Sequence, residues 1–397
     1  MSSRPTSQIS VTWDQVAAFR LARHHLLERA SARDLLSVAY DMTGAQAQLP
    51  SAAQISLWSR IRDLRLEYVQ EAMNKRTLVK ASCMRRTLFL VPSKYLAVFV
   101  RGSARRAEKG IRWTRGKGVP DRVIDAAIDA ALGALDEPLT RPEIADRASR
   151  SLGVQKQDVQ GGGWGSRGKV AAVPVGHITF PVVDLLHLAG ARGVVCYGPY
   201  RDNEPTFVRA DAWIPRWKDL SREEAEGMLL RKYLQAFGPA TTADFALWAG
   251  VSLTEAREIW AREAREQADF ATVNVEGWTA TVLRENLDEL ANASFERPLI
   301  RLLPYFDTFL LGHRERQHLV DIKHQPKVFR PQGWISPVVL VDGRVTAVWK
   351  LVQEKNRLLA NVEKFGPMSR RIIAGIHDEA QDLGRFLRVS NVEMQIR

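Results

Sequence analysis

Gly238-Pro-Ala-Thr-Thr-Ala-Asp-Phe-Ala-Leu-Trp-Ala-Gly-Val-Ser-Leu-Thr-Glu255 is where the order of secondary structure can be read most clearly. Gly238-Pro239 ends a helix expected from Glu223 to Gln235, and Thr241-Thr242 caps the next, which carries Phe245 and Trp248. Gly250 turns the chain. Ser252-Leu-Thr-Glu255 is a capping box that opens a third helix through Trp260, and at these helical spacings Trp248 and Trp260 read as packing residues. Asp269 to Val275 and Trp278 to Leu283 then alternate as strands around Glu276-Gly277, a hairpin turn pair. Three helices closed by a two-stranded wing form a winged helix.

The same order recurs twice upstream. Thr12-Trp13-Asp14 begins a helix striped by Val16, Phe19, Leu21 and Leu26-Leu27. A second runs from Ala32 to about Met42 and stops at Gly44, and a third bears Ile55, Trp58 and Ile61. A short helix around Tyr68 to Met73 precedes a hairpin, Thr77 to Cys83 and Thr87 to Val91, joined by a Met-Arg-Arg turn. In the next repeat, 121–134 is helical, Thr140-Arg-Pro-Glu143 is another capping box, Phe180 to Leu188 supplies a third segment, and 193–197 with 206–209 a wing. The C-terminal part differs. Val338 to Trp349 reads as two strands around Asp342-Gly343, followed by a strand near Leu358 to Val362, a helix from Ser369 to Asp382 and a strand from Arg385. The expected fold is α+β and mainly helical: winged-helix modules at 10–118, 119–218 (with a Gly-rich insertion) and 219–297, and a small β-rich domain at 298–397.

The 397 residues carry 57 Lys and Arg against 45 Asp and Glu, a formal +12. The excess is concentrated in one place: residues 75–122 hold 14 basic residues and two acids, Glu108 and Asp121, so the rest of the chain is neutral. Within it Arg101, Arg105, Arg106, Lys109, Arg112, Arg115 and Lys117 are interleaved with Gly102, Gly110, Gly116 and Trp113, which reads as a mobile cationic strip for a polyanion. Two cysteines, Cys83 and Cys196, allow neither a disulfide framework nor a CxxC zinc site and are expected to be reduced. The polar N-terminus has no apolar signal stretch, and the longest apolar run, 171–190, is broken by Pro174, His177, Pro181, Asp184 and His187. A cytoplasmic protein without a membrane span is expected.

The usual catalytic signatures fail. Gly161 to Lys169 nearly matches a phosphate-binding loop, but Val170 stands where Ser or Thr would hold magnesium and the preceding segment is polar, so the run reads as a loop insertion. His313, His318 and His324, five and six residues apart, do not place three nitrogens on one helix face, so no metal site is expected. No GxSxG elbow or HExxH helix is present. What remains is Gln46-Ala47-Gln48, a polar pair after a helix.

Gln46-Ala47-Gln48 followed by Pro50, Ser51-Ala52 and Leu57-Trp58, the hairpin Met84-Arg-Arg-Thr-Leu-Phe-Leu-Val91, the Ala240 to Trp248 segment, Leu302-Leu-Pro-Tyr-Phe-Asp307 and Val341-Asp-Gly-Arg344 together resemble the AlkZ-type interstrand-crosslink DNA glycosylases, a winged-helix family whose other branch is the YcaQ type. The resemblance spans nearly the whole chain. It implies three winged helices forming a C-shaped basic channel for duplex DNA, with Gln46 and Gln48 as catalytic residues. Gln48 sides with the AlkZ branch, since YcaQ-type proteins carry Asp there. Two positions depart: Arg86 in the hairpin turn where glycine is expected, and Gly312-His313-Arg314-Glu315 in place of a Gly-Tyr-Lys/Arg-Asp pattern. Asp307 is left open between a place near the site and a turn that docks the last domain.

Glutamine has no useful acid-base pKa, so a Gln-only site demands an activated substrate. A guanine alkylated at N7 is cationic and departs as a neutral base. The expected function is therefore monofunctional hydrolysis of the N-glycosidic bond of N7-alkylated purines, in alkylation repair or self-resistance, including crosslinks too tethered for ordinary base flipping. No cofactor is expected. Lys80, Arg85 and Arg86 on the hairpin, with Arg101, Arg105, Arg106, Lys109, Arg112 and Arg115, are the expected DNA contacts of a nucleoid-associated monomer. The alternative is a non-catalytic winged-helix regulator or damage binder.

Overall fold

A computed structural model of the chain describes residues 9–161, 168–266, 269–354 and 357–397. Helices and small sheets gather into two compact units, the first holding residues up to 72, 87–92 and 229–397, the second 73–86 and 93–228. The result is a mixed α and β fold.

The first unit begins with Ile9–Val11, a strand too short to show a period in the sequence. It pairs in parallel with Phe270–Val275, Ile9 opposite Val273 and Val11 opposite Val275, and that strand forms an antiparallel hairpin with Trp278–Leu283. At the hairpin tip Glu276 and Gly277 have φ of 48° and 95°, the pairing that matches strand twist in a two-residue turn. Val11, Val16, Phe19, Val273, Val282 and Leu290 close a core on this sheet. Residues 9–11 are thus built into a sheet whose other strands come from far along the sequence.

Helix Trp13–Arg23 is entered through Thr12 and Gln15, which cap one another, and it ends before Leu26 and Leu27 rather than running through them. Further on, Thr241 and Asp244 form a reciprocal cap on Thr242–Ala249, Gly250 leaves that helix at φ 79°, and Ser252 and Glu255 do the same for Leu253–Glu266. The helix, helix, hairpin order expected from Thr241 to Leu283 is present.

The last part of this unit is a five-stranded sheet in the order Ile300–Leu303, Val338–Val341, Arg344–Glu354, Arg357–Lys364 and Asn391–Ile396, antiparallel except for its final parallel pair. Helix Arg370–Leu387 supplies the crossover and extends five residues past the expected end at Asp382, so the final strand starts at Asn391 instead of Arg385. Arg29 anchors that helix, bonding Glu379 at 2.9 Å and Asp382 at 2.6 Å, while the indole of Trp58 donates to Asp382 at 3.0 Å.

The second unit packs helices Asp121–Gly133, Arg141–Ser151 and Val182–Ala189 around Ile124, Ile128, Ile144, Val173, Leu185 and Phe207. Glu143 accepts from the backbone N–H and the hydroxyl of Thr140, completing the expected cap. Val195–Tyr197 and Phe207–Arg209 pair as expected. A three-stranded antiparallel sheet, Gln157–Gln160, Lys169–Val175 and Ile178–Pro181, takes in both the polar segment before the Gly-rich run and the first part of the apolar stretch 171–190, and the helix expected from Phe180 starts at Val182. Its edge strand is exposed on both faces and so carries no hydrophobic alternation. The Gly-rich run at 162–167 between its strands lies outside the described residues.

The cationic strip also differs from expectation. It is two helices, Leu96–Gly102 and Arg105–Gly116, not a mobile segment. Gly110, which suggested flexibility, is a contact point: a β-carbon there would stand 2.6 Å from Leu188 Cδ2.

Candidate active site

Four features bring the Gln segment into position. Helix Leu35–Asp41 ends, and the chain reverses through Thr43 and Gly44 at φ 63° and 86°. Gly44 has a second reason to lack a side chain, because a β-carbon would lie 2.7 Å from Val91 Cγ1. Thr43, β-branched, occupies the left-handed region at a cost of order 1–3 kcal/mol, and it is wholly buried with its hydroxyl 3.4 Å from that of Thr308. Strand Ala45–Gln46 then pairs antiparallel with Leu88–Pro92, Ala45 opposite Leu90 and Gln46 opposite Phe89.

The ladder continues one step beyond the strand. Ala47 N–H donates to the Leu88 carbonyl at 2.6 Å, and the Leu88 N–H donates to Gln48 Oε1 at 3.0 Å. A side-chain amide thus takes the place of the next backbone acceptor, which places the Gln48 carboxamide oxygen. Gln46 is 6% exposed, and Gln48, just beyond the strand, is half-buried. Helix Pro50–Trp58 starts immediately afterwards, with Pro50 in the first turn where no N–H is needed.

Beneath that helix sits a buried ion pair. Arg60 Nη2 and Nη1 donate to the two Asp307 oxygens at 2.7 and 2.9 Å, Ser56 Oγ donates to Asp307 Oδ2 at 2.6 Å, and the Phe309 N–H donates to Oδ1 at 3.0 Å. All three side chains are almost without solvent contact. Asp307 therefore has both oxygens engaged in holding helix Pro50–Trp58, which follows the Gln segment, to the 307–311 turn, and it has no oxygen free of a partner. Thr308, its neighbour, donates to the Met42 carbonyl at 3.3 Å, so one turn supports the Gln segment from both ends. Ser56, Arg60, Thr308 and the Leu88 backbone are the supporting groups that sequence patterns do not expose, because each acts through a contact distant in sequence or through main chain.

At the end of helix Leu35–Asp41, Asp41 meets Lys232 Nζ at 2.7 Å and His25 Nε2 at 3.0 Å. Burial would raise the Asp41 carboxyl, but the bond from His25 and the Lys232 ammonium outweigh it and hold it below the usual carboxylate range. Lys232 in turn is lowered by burial, against the pull of Asp41.

The nine cations expected on DNA divide into three internal anchors, five exposed cations and the half-buried Arg85. Lys80 is 8% exposed, 3.2 Å from the Tyr200 hydroxyl and lying over the Tyr197 and Tyr200 rings. Arg101 is buried against Asp219 and the carbonyls of Ala191 and Arg192, and Arg105 is bidentate to the buried Glu226. These three are internal anchors of the second unit. Arg106, Lys109, Arg112 and Arg115 are exposed on helix Arg105–Gly116, Arg115 meeting Asp121. Arg86, at the hairpin turn, is exposed and pairs with Asp184, while Arg85 is half-buried. Both have φ near 60°, so the turn has the geometry for which glycine was expected.

The remaining candidates are structural. His313 Nε2 donates to the Phe237 carbonyl at 2.9 Å, and burial holds this imidazole well below its usual pKa; His324 stacks on Phe365. Gly312 beside it abuts the Phe237 ring so closely that no β-carbon fits, which accounts for the glycine in the departing Gly-His-Arg-Glu sequence. Among the described residues no group of His, Cys, Asp or Glu could hold a metal. Burial raises both thiols, Cys196 to about 12. No helix among the described residues is long and apolar enough to cross a membrane.

Comparison with known proteins adds three findings. The family model described as DNA glycosylase AlkZ-like matches residues 39–386. The interstrand DNA cross-link repair glycosylase of Streptomyces sahachiroi is 32% identical over 402 residues, covering 98% of this chain and all of that protein. The solved structure of Streptomyces sahachiroi DNA glycosylase AlkZ superposes with a TM-score of 0.79 at 29% identity, again over 98% of this chain and all of the other. With the Gln46-Ala47-Gln48 segment pinned on Leu88, these matches establish that the chain belongs to the AlkZ-like DNA glycosylase family.

Proposed function

We propose that this protein is a monofunctional DNA glycosylase that hydrolyses the N-glycosidic bond of N7-alkylated purines in duplex DNA and unhooks interstrand crosslinks formed through such bases. The carrying observation is a pair of uncharged amides, Gln46 buried on a short strand and Gln48 bonded to the Leu88 N–H, in a family of DNA glycosylases, with the carboxylate Asp307 fully engaged elsewhere. Such a site positions groups and does not transfer a proton strongly. It suits a substrate whose leaving group needs no protonation.

In this reading the C1′–N9 bond breaks with its electron pair moving to the base, which cancels the positive charge introduced by N7 alkylation. Water adds to C1′ and releases a proton to solvent. The Gln carbonyl dipoles orient that water and favour the developing oxocarbenium ion. Gln48 has one lone pair held by Leu88 N–H, so its orientation is set before substrate arrives. The helix, helix, hairpin arrangements at 10–118, 119–218 and 219–297 act as winged helices that form a C-shaped channel, and 298–397 as a supporting domain. Arg86, Arg106, Lys109, Arg112 and Arg115 contact phosphates.

The test is incubation with duplexes carrying N7-methylguanine or an N7-linked crosslink, followed by alkaline cleavage at abasic sites. Wild type is expected to generate breaks at the lesion and Gln46→Ala/Gln48→Ala only background. Equal yields from both would sink the catalytic reading, and lesion binding without cleavage by wild type would indicate a damage binder.

A further inference from the structure

Trp113 is unusual among the tryptophans. Trp58 and Trp248 lie in cores with about 2% or less exposed, whereas Trp113 is 54% exposed on helix Arg105–Gly116. The inner face of that helix is made by Ala107, Gly110 and Thr114, with Ile111 packed against the core of the second unit. Trp113 takes no part in that packing. It shares one side of the helix with Arg106, Lys109 and Lys117, seven and four residues before it and four after, all exposed, and Lys117 Nζ stands 5.7 Å from its ring centre.

The surroundings of the indole are open. Gly116, three residues on and so beside Trp113 on the helix surface, has nothing within 4 Å of where a β-carbon would be. Lys109 and Lys117 flank the ring along the helix and are about 12 Å apart, the length of roughly three to four nucleotides of one strand. A large apolar ring left in water within a cationic face fits a ligand that is flat, apolar on its faces and anionic at its edges. A nucleic acid base between phosphates has that character.

We propose that Trp113 is a lesion-sensing residue: its indole stacks on a base exposed where damage interrupts the duplex stack, while the cations of the same helix hold the flanking phosphates. This rests on the reading of the protein as a duplex DNA repair enzyme and extends it by assigning discrimination between damaged and intact duplex to a ring remote in sequence from Gln46 and Gln48. In an intact duplex the bases stack on one another and offer no face, so only the phosphate contacts operate. At an interrupted step the ring gains a partner.

The experiment uses two duplexes of one sequence, one intact and one with a tetrahydrofuran abasic analogue next to 2-aminopurine, titrated with the full-length chain and with Trp113→Ala and Trp113→Phe. Anisotropy is expected to show Trp113→Ala weakening binding to the interrupted duplex about five- to hundredfold and to the intact one less than about twofold, with the salt dependence unaltered because no charge is removed. Trp113→Phe falls between. The 2-aminopurine is expected to be more quenched by wild type than by either variant. Equal losses on both duplexes, or the same quenching by wild type and Trp113→Phe, would overturn the proposal. Failure of wild type to bind either duplex would count against the DNA reading itself, whereas wild-type binding that Trp113→Ala leaves intact on both would overturn only the role of Trp113.

Discussion

The Gln46–Gln48 segment and the helix Arg105–Gly116 meet opposite physical demands. The first is uncharged, with Gln46 buried and Gln48 half-buried, and is tied to the Leu88 main chain through Ala47 and Gln48, with the Arg60–Asp307 pair holding the helix that follows. The second exposes cations and one aromatic ring, held by a glycine and small residues on its inner side. On the proposed function, chemistry on a substrate already primed to break depends on geometry, which order in the Gln segment would serve. Affinity for a polyanion depends on charge that remains hydrated until contact, so order in those side chains would add little.

The contrast can be broken most severely at Asp307. Asp307→Ala leaves Arg60 charged and buried without its partner, and a loss of about 3–5 kcal/mol is expected in urea unfolding. A loss below about 1 kcal/mol would mean that the helix Pro50–Trp58 after the Gln segment does not depend on this pair. Next, Gln48→Ala removes the acceptor of the Leu88 N–H as well as the amide itself. Single-turnover excision of an N7-methylguanine lesion is expected to fall by about a hundredfold or more, with duplex affinity changed by less than about threefold. Loss of binding in parallel would show that the segment grips DNA instead of acting on it.

The two classes of arginine sharpen the contrast further. Arg106→Ala and Arg112→Ala together should reduce the slope of log affinity against log salt by about 2, with little effect on unfolding. Arg101→Ala should do the reverse, destabilising the second unit by severing Asp219 and two carbonyl contacts and leaving the slope in place. A fall in slope for Arg101→Ala would contradict its assignment as an internal anchor. The smallest effect concerns pH. A carboxyl depressed on folding stabilises above its unfolded value and loses that contribution as pH falls through the folded one. The Asp41 contribution should therefore be intact down to about pH 4 and disappear below it. Denaturation from pH 7 to 2 should show a shallower acid limb for Asp41→Asn than for wild type.

Local signals in the chain were reliable where a local cause sufficed. Thr12, Thr140, Thr241 and Ser252 all cap helices with the acid or amide three residues on, and Glu276-Gly277 and Asp342-Gly343 both turn hairpins. Exposed edges were not legible: Gln157–Gln160 is a strand with no buried face, and Ile9–Val11 is too short to alternate. Glycine misled at position 110, where the sequence suggests mobility and the fold uses the missing side chain to bring a helix onto Leu188.

By itself the sequence determined the capped helices and the hairpins with clear turn residues, where the positive charge is concentrated and that Gln46-Ala47-Gln48 is the segment to watch. Caps, turn residues, hydrophobic period and charge density all act within a few residues, so they can be read from the chain alone. Only the tertiary structure decided that Lys80, Arg101 and Arg105 face inward, that Asp307 is held by Arg60 and that Gln48 rests on the Leu88 N–H. A charge becomes an anchor or a contact according to which partner reaches it first, and those partners lie up to 247 residues away along the chain.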